Sequence, residues 1–337
     1  LSIRMTPALA EASVLPLRSL VWDDIEHQIG YFALNRLAAR ACRRAFEAAV
    51  RRAAKLAVIG ETMQACYEQR YGQRGVIVRH GMAPLETRES VPATTVGPLR
   101  IGFAGSVTAS SAFESLLAAL DHMGWEVDGR PITLVLMGGR FDLRSRVPRR
   151  IECLGWRSPE ETASILGACT LNYLPQPFEA GQQPIAELSF PAKTTTMMAT
   201  GVPILVHAPP YASLLRFNAE HVFAFACPSL EPAALVPVLR AALTDEVERR
   251  RIRDAARQIL EREFSDTVPR RQFLAVIGGP AESPRASETG SSGPRWGGDV
   301  PGWPGGLGAS ASGHHRSGHR KAADRQCRRT VRAGGEW

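Results

Sequence analysis

Short apolar runs alternate with helical periods along most of this chain, a pattern that predicts parallel sheets wrapped by helices. Leu17 to Asp24 reads as a short buried strand ending in acids. Ile29 to Lys55 reads as one long Ala/Arg-rich helix, and Lys55 to Gly60 as a strand. Glu61 to Tyr71 reads as a helix closed by Gly72, and Gly75 to Val78 as a third strand. Three strands make only the back part of a doubly wound unit, so residues 1–81 are expected to be a partial Rossmann-like domain. Residues 82–98 carry Pro and Thr and no hydrophobic period, which predicts a linker.

The alternation restarts and completes itself over 99–277, predicting a full doubly wound parallel sheet. Strands are expected at Arg100–Gly105, Ile132–Met137, Ile151–Trp156, Thr170–Leu174, Pro203–His207 and Val222–Ala226. Helices are expected at Ser111–His122, after Ser158-Pro-Glu-Glu161, at Lys193–Thr200 and through 231–275. The strands are unbroken apolar runs, as strands buried on both faces must be.

Composition changes the picture mainly at the end of the chain. Residues 278–337 hold 14 of the 30 Gly and one Leu, two Val and no Ile, Phe or Met. Such a segment cannot bury enough apolar surface to offset the entropy of ordering, so it is read as a disordered tail. It also carries half of the formal net charge of +8. The remainder is only mildly basic and lacks the aromatic–basic interleaving of a single-strand platform, so nucleic acid is not an expected partner. Cys42, Cys66, Cys153, Cys169, Cys227 and Cys327 are scattered, with no CxxC and no clustered His. That argues against a zinc centre or a disulfide framework and fits a cytoplasmic location. No run approaches the roughly 20 apolar residues of a transmembrane helix.

In an open α/β sheet the ligand lies outside the carboxyl ends of the strands, where the strand order reverses. Three loops fall there. Gly102-Phe-Ala-Gly105-Ser106 leads to Thr108, Ser110 and Ser111 and lets backbone N–H groups approach an anion, although a tight turn needing Gly explains it as well. It is not GxGxxG, which disfavours a nicotinamide cofactor. Tyr173 to Gly181 is a Pro-rich loop whose Glu179 suits a hydroxylated ligand or, alternatively, plain solvation. Leu188 to Leu205 brings Lys193, Thr194 and Thr196 to the first turn of a short helix, a natural diphosphate clamp if Lys193 is not merely solvated.

The last of these loops, Ser189-Phe-Pro-Ala-Lys193 followed by a helix and Gly201-Val-Pro-Ile-Leu205, resembles a block of the group 1 (family four) GT-B glycosyltransferases. Phe103-Ala-Gly-Ser106, Leu134-Val-Leu-Met-Gly-Gly139, Leu154-Gly-Trp156, Tyr173-Leu-Pro175 and, earlier, Ala57 to Met63, Tyr67 to Gly72 and His80-Gly81 resemble further blocks in the same order. The resemblance spans roughly residues 17–275. It implies a donor-binding domain at 99–277, preceded by the end of an acceptor domain whose earlier strands are expected to be missing.

The resemblance further implies that Lys193 contacts the diphosphate of a nucleotide-sugar donor, that Gly105 and Ser106 approach the phosphates or sugar, and that Glu179 reaches sugar hydroxyls. The implied activity is retaining, metal-independent transfer of a sugar to a glycan, lipid or small-molecule acceptor, with no cofactor beyond the donor. Retaining members carry a ribose-binding Glu five residues before the Gly of the Gly-x-Pro turn. Thr196 stands there in this chain. Together with the short amino half, that departure supports a second reading, a non-catalytic domain that binds a ligand or partner. Asp23-Asp24 is expected to end a strand and not to bind metal. Arg36, Arg40, Arg44, Arg51 and Arg52 share one helix, readable as a solvated face or as a surface for peripheral membrane association.

Overall fold

The computed structural model describes residues 16–82 and 97–278, apart from 107, 140–142 and 146, together with 331–333 and four positions among the first fifteen. The expected linker and most of the tail lie outside the described residues.

The first sheet is parallel, with β1 (Arg18–Val21), β2 (Lys55–Val58) and β3 (Val76–Ile77) in chain order. Two helices connect β1 to β2, where the sequence pattern predicts one. Asp24 caps α1 (Ile25–Tyr31) by accepting from Glu26 N at 2.9 Å, and Asn35 caps α2 (Arg36–Arg52) by accepting from Ala38 N at 2.9 Å. Each short polar side chain satisfies an otherwise unpaired N–H, so two starts compete better than one continuous helix. Ala33 at φ 46° makes the turn between them. The helix α3 (Glu61–Tyr71) ends, as expected, on left-handed Gly72 at φ 69°.

The second sheet holds six parallel strands, β4 (Leu99–Ala104), β6 (Arg130–Met137), β8 (Ile151–Gly155), β9 (Leu171–Pro175), β10 (Ile204–His207) and β11 (Phe225–Cys227), while β5 (Glu126–Val127) adds an antiparallel hairpin to β6. The order runs β11-β10-β9-β4-β6, with β8 on the far side of β6. The chain thus starts in the middle, builds outward one way, then crosses back and builds the other way. The switch point is the crevice between β4 and β9. Ile101, Leu134, Leu136, Leu171 and Leu205 are fully buried, as the unbroken apolar runs require.

The connecting helices are α4 (Ser110–His122), α5 (Pro159–Gly167), α6 (Gln183–Leu188), α7 (Lys193–Ala199), α8 (Ser213–His221), α9 (Pro232–Thr244), α10 (Glu246–Ile259) and α11 (Thr267–Ile277). Ser158 starts α5 with a complete capping box to Glu161. The last strand begins later than expected, because Val222 at φ 49° closes α8 in the left-handed region instead of extending. The short strand β7 (Leu143–Ser145) pairs in parallel with β12 (Val331–Ala333).

The two sheets share one core. Val58 and Met63 belong to the same apolar cluster as Leu174, Met197 and Phe264, and Val276 of α11 packs with Ala57 and Val78. Buried Arg79, just after β3, lies over the rings of Phe190, Phe217 and Phe264 at 5.0–5.6 Å and pairs with Glu61 and Glu263.

Candidate functional site

A cleft of about 210 Å³ opens at the carboxyl ends of β4, β6 and β8, lined by Gly105, Gly138, Trp156, Arg157, Lys193 and Thr196 among others. The backbone makes its floor. Gly105 at φ 127° and Gly138 at φ 134° hold conformations that side chains rarely adopt, and a Cβ on Gly138 would collide with the carbonyl oxygen of Gly105. Two strand ends can therefore lie against each other only as glycines.

Lys193, the first residue of α7, reaches across the switch point. Its Nζ lies 3.0 Å from where a Cβ on Gly105 would be and 4.8 Å from the centroid of the Phe103 ring. Burial pushes its pKa down to about 8. Among the described residues it forms no ion pair. Arg157 makes no ion pair either, its guanidinium donating only to the carbonyl of Trp156 at 2.9 Å. Two cations thus face a cleft that has no carboxylate in its lining. Positive charge without a counter-ion, desolvated at Lys193 and half-buried at Arg157, is the electrostatic signature of an anion site.

Glu179 is held elsewhere. Its Oε1 accepts from the backbone N of Ser111 at 3.1 Å and from Ser111 Oγ at 2.8 Å, so the carboxylate occupies the amino end of α4. The anion position expected there is filled by the protein itself. The other oxygen, Oε2, is buried and makes no hydrogen bond among the described residues, as does Oε1 of Gln176 in the same loop. Below them Tyr173 Oη lies 2.9 Å from Ala112 O and 2.8 Å from His207 Nδ1, and burial lowers the His207 pKa.

The expected site residues therefore divide. Gly105, Lys193 and Thr196 line the cleft. Ser106 is exposed on the following loop, and Thr194 is fully buried with an unpartnered Oγ1, away from the lining. Trp156 entered the sequence reading only as the end of a strand and of the Leu154-Gly-Trp156 block, not as a site residue, and Arg157 did not enter it. Their signal was the strand end Leu154-Gly-Trp, which places whatever follows the Gly at the mouth of the cleft.

Asp24 is buried, caps α1 and accepts from Tyr67 Oη at 2.8 Å, a structural role. Asp23 accepts from Ser189 Oγ at 2.8 Å and so ties the end of β1 to the segment leading into α7. Among the described residues, no group of three His, Cys, Asp or Glu could hold a metal ion, and no helix is long and apolar enough to cross a membrane.

This architecture, two parallel α/β sheets that share one apolar core, with the last helix returning to the first sheet, is the GT-B glycosyltransferase fold. Solved structures of that class match it. Anabaena HepE in complex with UDP and glucose superposes with a TM-score of 0.60 at 14% identity, over 82% of this chain and 75% of that one. A trehalose-phosphate synthase from Burkholderia xenovorans, in complex with glucose-6-phosphate, gives 0.57 at 12% identity, over 82% and 70%. WaaG, a glycosyltransferase involved in lipopolysaccharide biosynthesis, gives 0.54 at 15%, over 79% and 76%. No protein-family description and no curated protein matches the sequence.

Proposed function

We propose that the cleft binds a nucleoside-diphosphate sugar and that the chain transfers the sugar to an acceptor. The observation that carries this reading is the pair of unpaired cations, Lys193 and Arg157, facing a cleft with no carboxylate in its lining. The diphosphate would lie against Lys193 and the Gly105 and Gly138 backbone, with Arg157 on its outer side. Trp156, 74% exposed at the mouth, offers a ring for the base, and Thr196 a hydroxyl for the ribose. Glu179 Oε2 and Gln176 Oε1, buried and without a hydrogen bond among the described residues, would take sugar hydroxyls once the loop that carries them moves. As the glycosidic bond breaks, negative charge grows on the leaving diphosphate. Cations fixed in a desolvated site stabilise that charge without reorganising, and by this reading they do the work of a metal ion. Retention of anomeric configuration rests on the family resemblance alone.

Thr196 favours a second reading, binding without turnover, because a hydroxyl cannot grip both ribose hydroxyls as a carboxylate does. Incubating the full chain with a panel of nucleotide sugars and assaying the free nucleoside diphosphate separates the two. Release that is lost in Lys193→Ala supports transfer. Donor binding without release supports the non-catalytic domain.

A further inference from the structure

A buried pair of titratable groups lies beneath the loop that carries Glu179, outside the cleft lining. His207 ends β10, and Tyr173 of β9 lies beside it, both fully buried. Tyr173 Oη lies 2.9 Å from Ala112 O and 2.8 Å from His207 Nδ1, and His207 Nε2 lies 2.8 Å from Ser229 O. A carbonyl only accepts, so Nε2 must carry a hydrogen. In the neutral ring Nδ1 is then a bare acceptor and takes the single hydroxyl hydrogen of Tyr173, leaving Ala112 O without it. In the protonated ring Nδ1–H donates to Tyr173 Oη, the hydroxyl turns to Ala112 O, and all three contacts become hydrogen bonds. The proton is taken up by rotating one hydroxyl, with no heavy atom displaced.

Ala112 is in the first turn of α4, next to Ser111, whose N–H and hydroxyl hold Glu179. The rings of Phe113 and Tyr173 meet edge to face at 5.3 Å, so the same turn also packs on Tyr173. On the other side Phe178 meets His207 edge to face at 5.3 Å, and Gln176 N donates to His207 O at 2.8 Å. The pair therefore touches both the helix start that grips Glu179 and the loop that carries it. Cys227 of β11 donates its thiol to the same Ser229 O at 3.4 Å. Among the described residues no carboxylate, lysine or arginine of β9, β11, α4 or α9 shifts either group. Burial dominates both, raising the Tyr173 pKa and lowering that of His207.

We propose that Tyr173 and His207 are positioning residues for Glu179, the proton on His207 deciding whether the Tyr173 hydroxyl ties down the first turn of α4. This rests on Glu179 serving the donor sugar, as proposed above. The tied state keeps Glu179 Oε2 and Gln176 Oε1 in their buried seats, so protonation resists the loop movement that brings them to a sugar.

The test begins on the ligand-free full chain. Nitrogen shifts of His207 are expected to show the Nε2–H tautomer in its neutral form. The protection factor of the Ser111 amide should rise about 5-fold as His207 takes its proton, the value of one added hydrogen bond. Tyr173→Phe should remove that response and lower the His207 pKa by about one unit, because the lost bond is stronger with the charged ring. His207→Gln keeps an acceptor toward Tyr173 and a donor toward Ser229 O but takes no proton. In steady-state rates between about pH 5 and 8, KM for the nucleotide sugar should rise about 5-fold as pH falls through the His207 midpoint. In His207→Gln that step should be gone, while nucleoside-diphosphate affinity follows the same pH course in both proteins. A neutral ring with its hydrogen on Nδ1, a Ser111 amide indifferent to the His207 titration, or a KM step that persists in His207→Gln would each overturn the proposal. A Ser111 response in a chain that turns over no nucleotide sugar would uphold the pair and contradict the proposed function instead.

Discussion

Glu179 Oε1 and the amino end of α4 are joined by two hydrogen bonds, from Ser111 N at 3.1 Å and Ser111 Oγ at 2.8 Å. They close the switch point between β4 and β9 with an internal anion. On the proposed reading a diphosphate takes the α7 side, beside Lys193, and Glu179 Oε2, unpartnered among the described residues, takes a hydroxyl donor.

From this follows a split between nucleotide and sugar. In Glu179→Gln the contact to Ser111 survives while the negative charge at the helix start is lost, at a cost of roughly 0.3–1 kcal/mol of stability. Affinity for the matching nucleoside diphosphate is expected to stay within a factor of about 2, while turnover of the nucleotide sugar falls at least about tenfold, as loss of one charge-assisted bond implies. Calorimetry on the diphosphate and on the sugar donor, with steady-state rates, checks it.

Lys193 predicts a pH signature. Its folded pKa is depressed to about 8 from 10.5, so the unfolded chain binds the proton more tightly. Stability contributed by this group is full above pH 10.5 and is lost as pH falls through about 8. Ligand-free Tm, measured against Lys193→Met, should therefore rise relative to the variant between these values. Diphosphate affinity runs the other way, weakening above about pH 8 as the ammonium deprotonates, with the bound anion moving that midpoint upward.

The glycine floor predicts a steep steric cost. Gly138→Ala must relieve both a φ of 134° and a collision with backbone, so a loss of about 1–3 kcal/mol or more is expected. Gly105→Ala meets only the mobile end of Lys193 at 3.0 Å, although its φ of 127° is also strained. It should harm diphosphate binding more than Gly138→Ala does relative to its effect on stability. Urea titrations paired with binding isotherms separate the two.

Arg79 predicts that the sheets unfold together. Arg79→Met removes one partner of Glu263, which keeps Arg262 at 2.9 Å, and the cation shared by three rings, while Glu61 is half-exposed and can turn to solvent. A loss of about 2–3 kcal/mol is expected, below the full value for a wholly buried pair. Splitting of one urea transition into two in the variant would mark Arg79 as the coupling between sheets.

Much of this was legible beforehand, and the reasons differ by element. The core strands were readable because a strand buried on both faces is an unbroken apolar run, as Ile132 to Met137 is. The break in the expected helix after Ile29 was not, since its cause is two competing caps, Asp24 and Asn35, that do not interrupt the apolar period. Helices α6 and α8 were missed because their short apolar stripes face other elements instead of forming a long period of their own. Lys193 was readable from its place at a helix start behind Pro191. The seat of Glu179 was not, because its partner Ser111 lies 68 residues away and only the fold brings them together.

The central claim is tested most directly by titrating the full chain with UDP, GDP, ADP and TDP while following the thermal midpoint. The account predicts that one of them raises apparent stability by about 2.7 kcal/mol at ~100 Kd, and that Lys193→Ala abolishes the rise. A folded sample whose midpoint moves with none of them, or moves equally in Lys193→Ala, would contradict it.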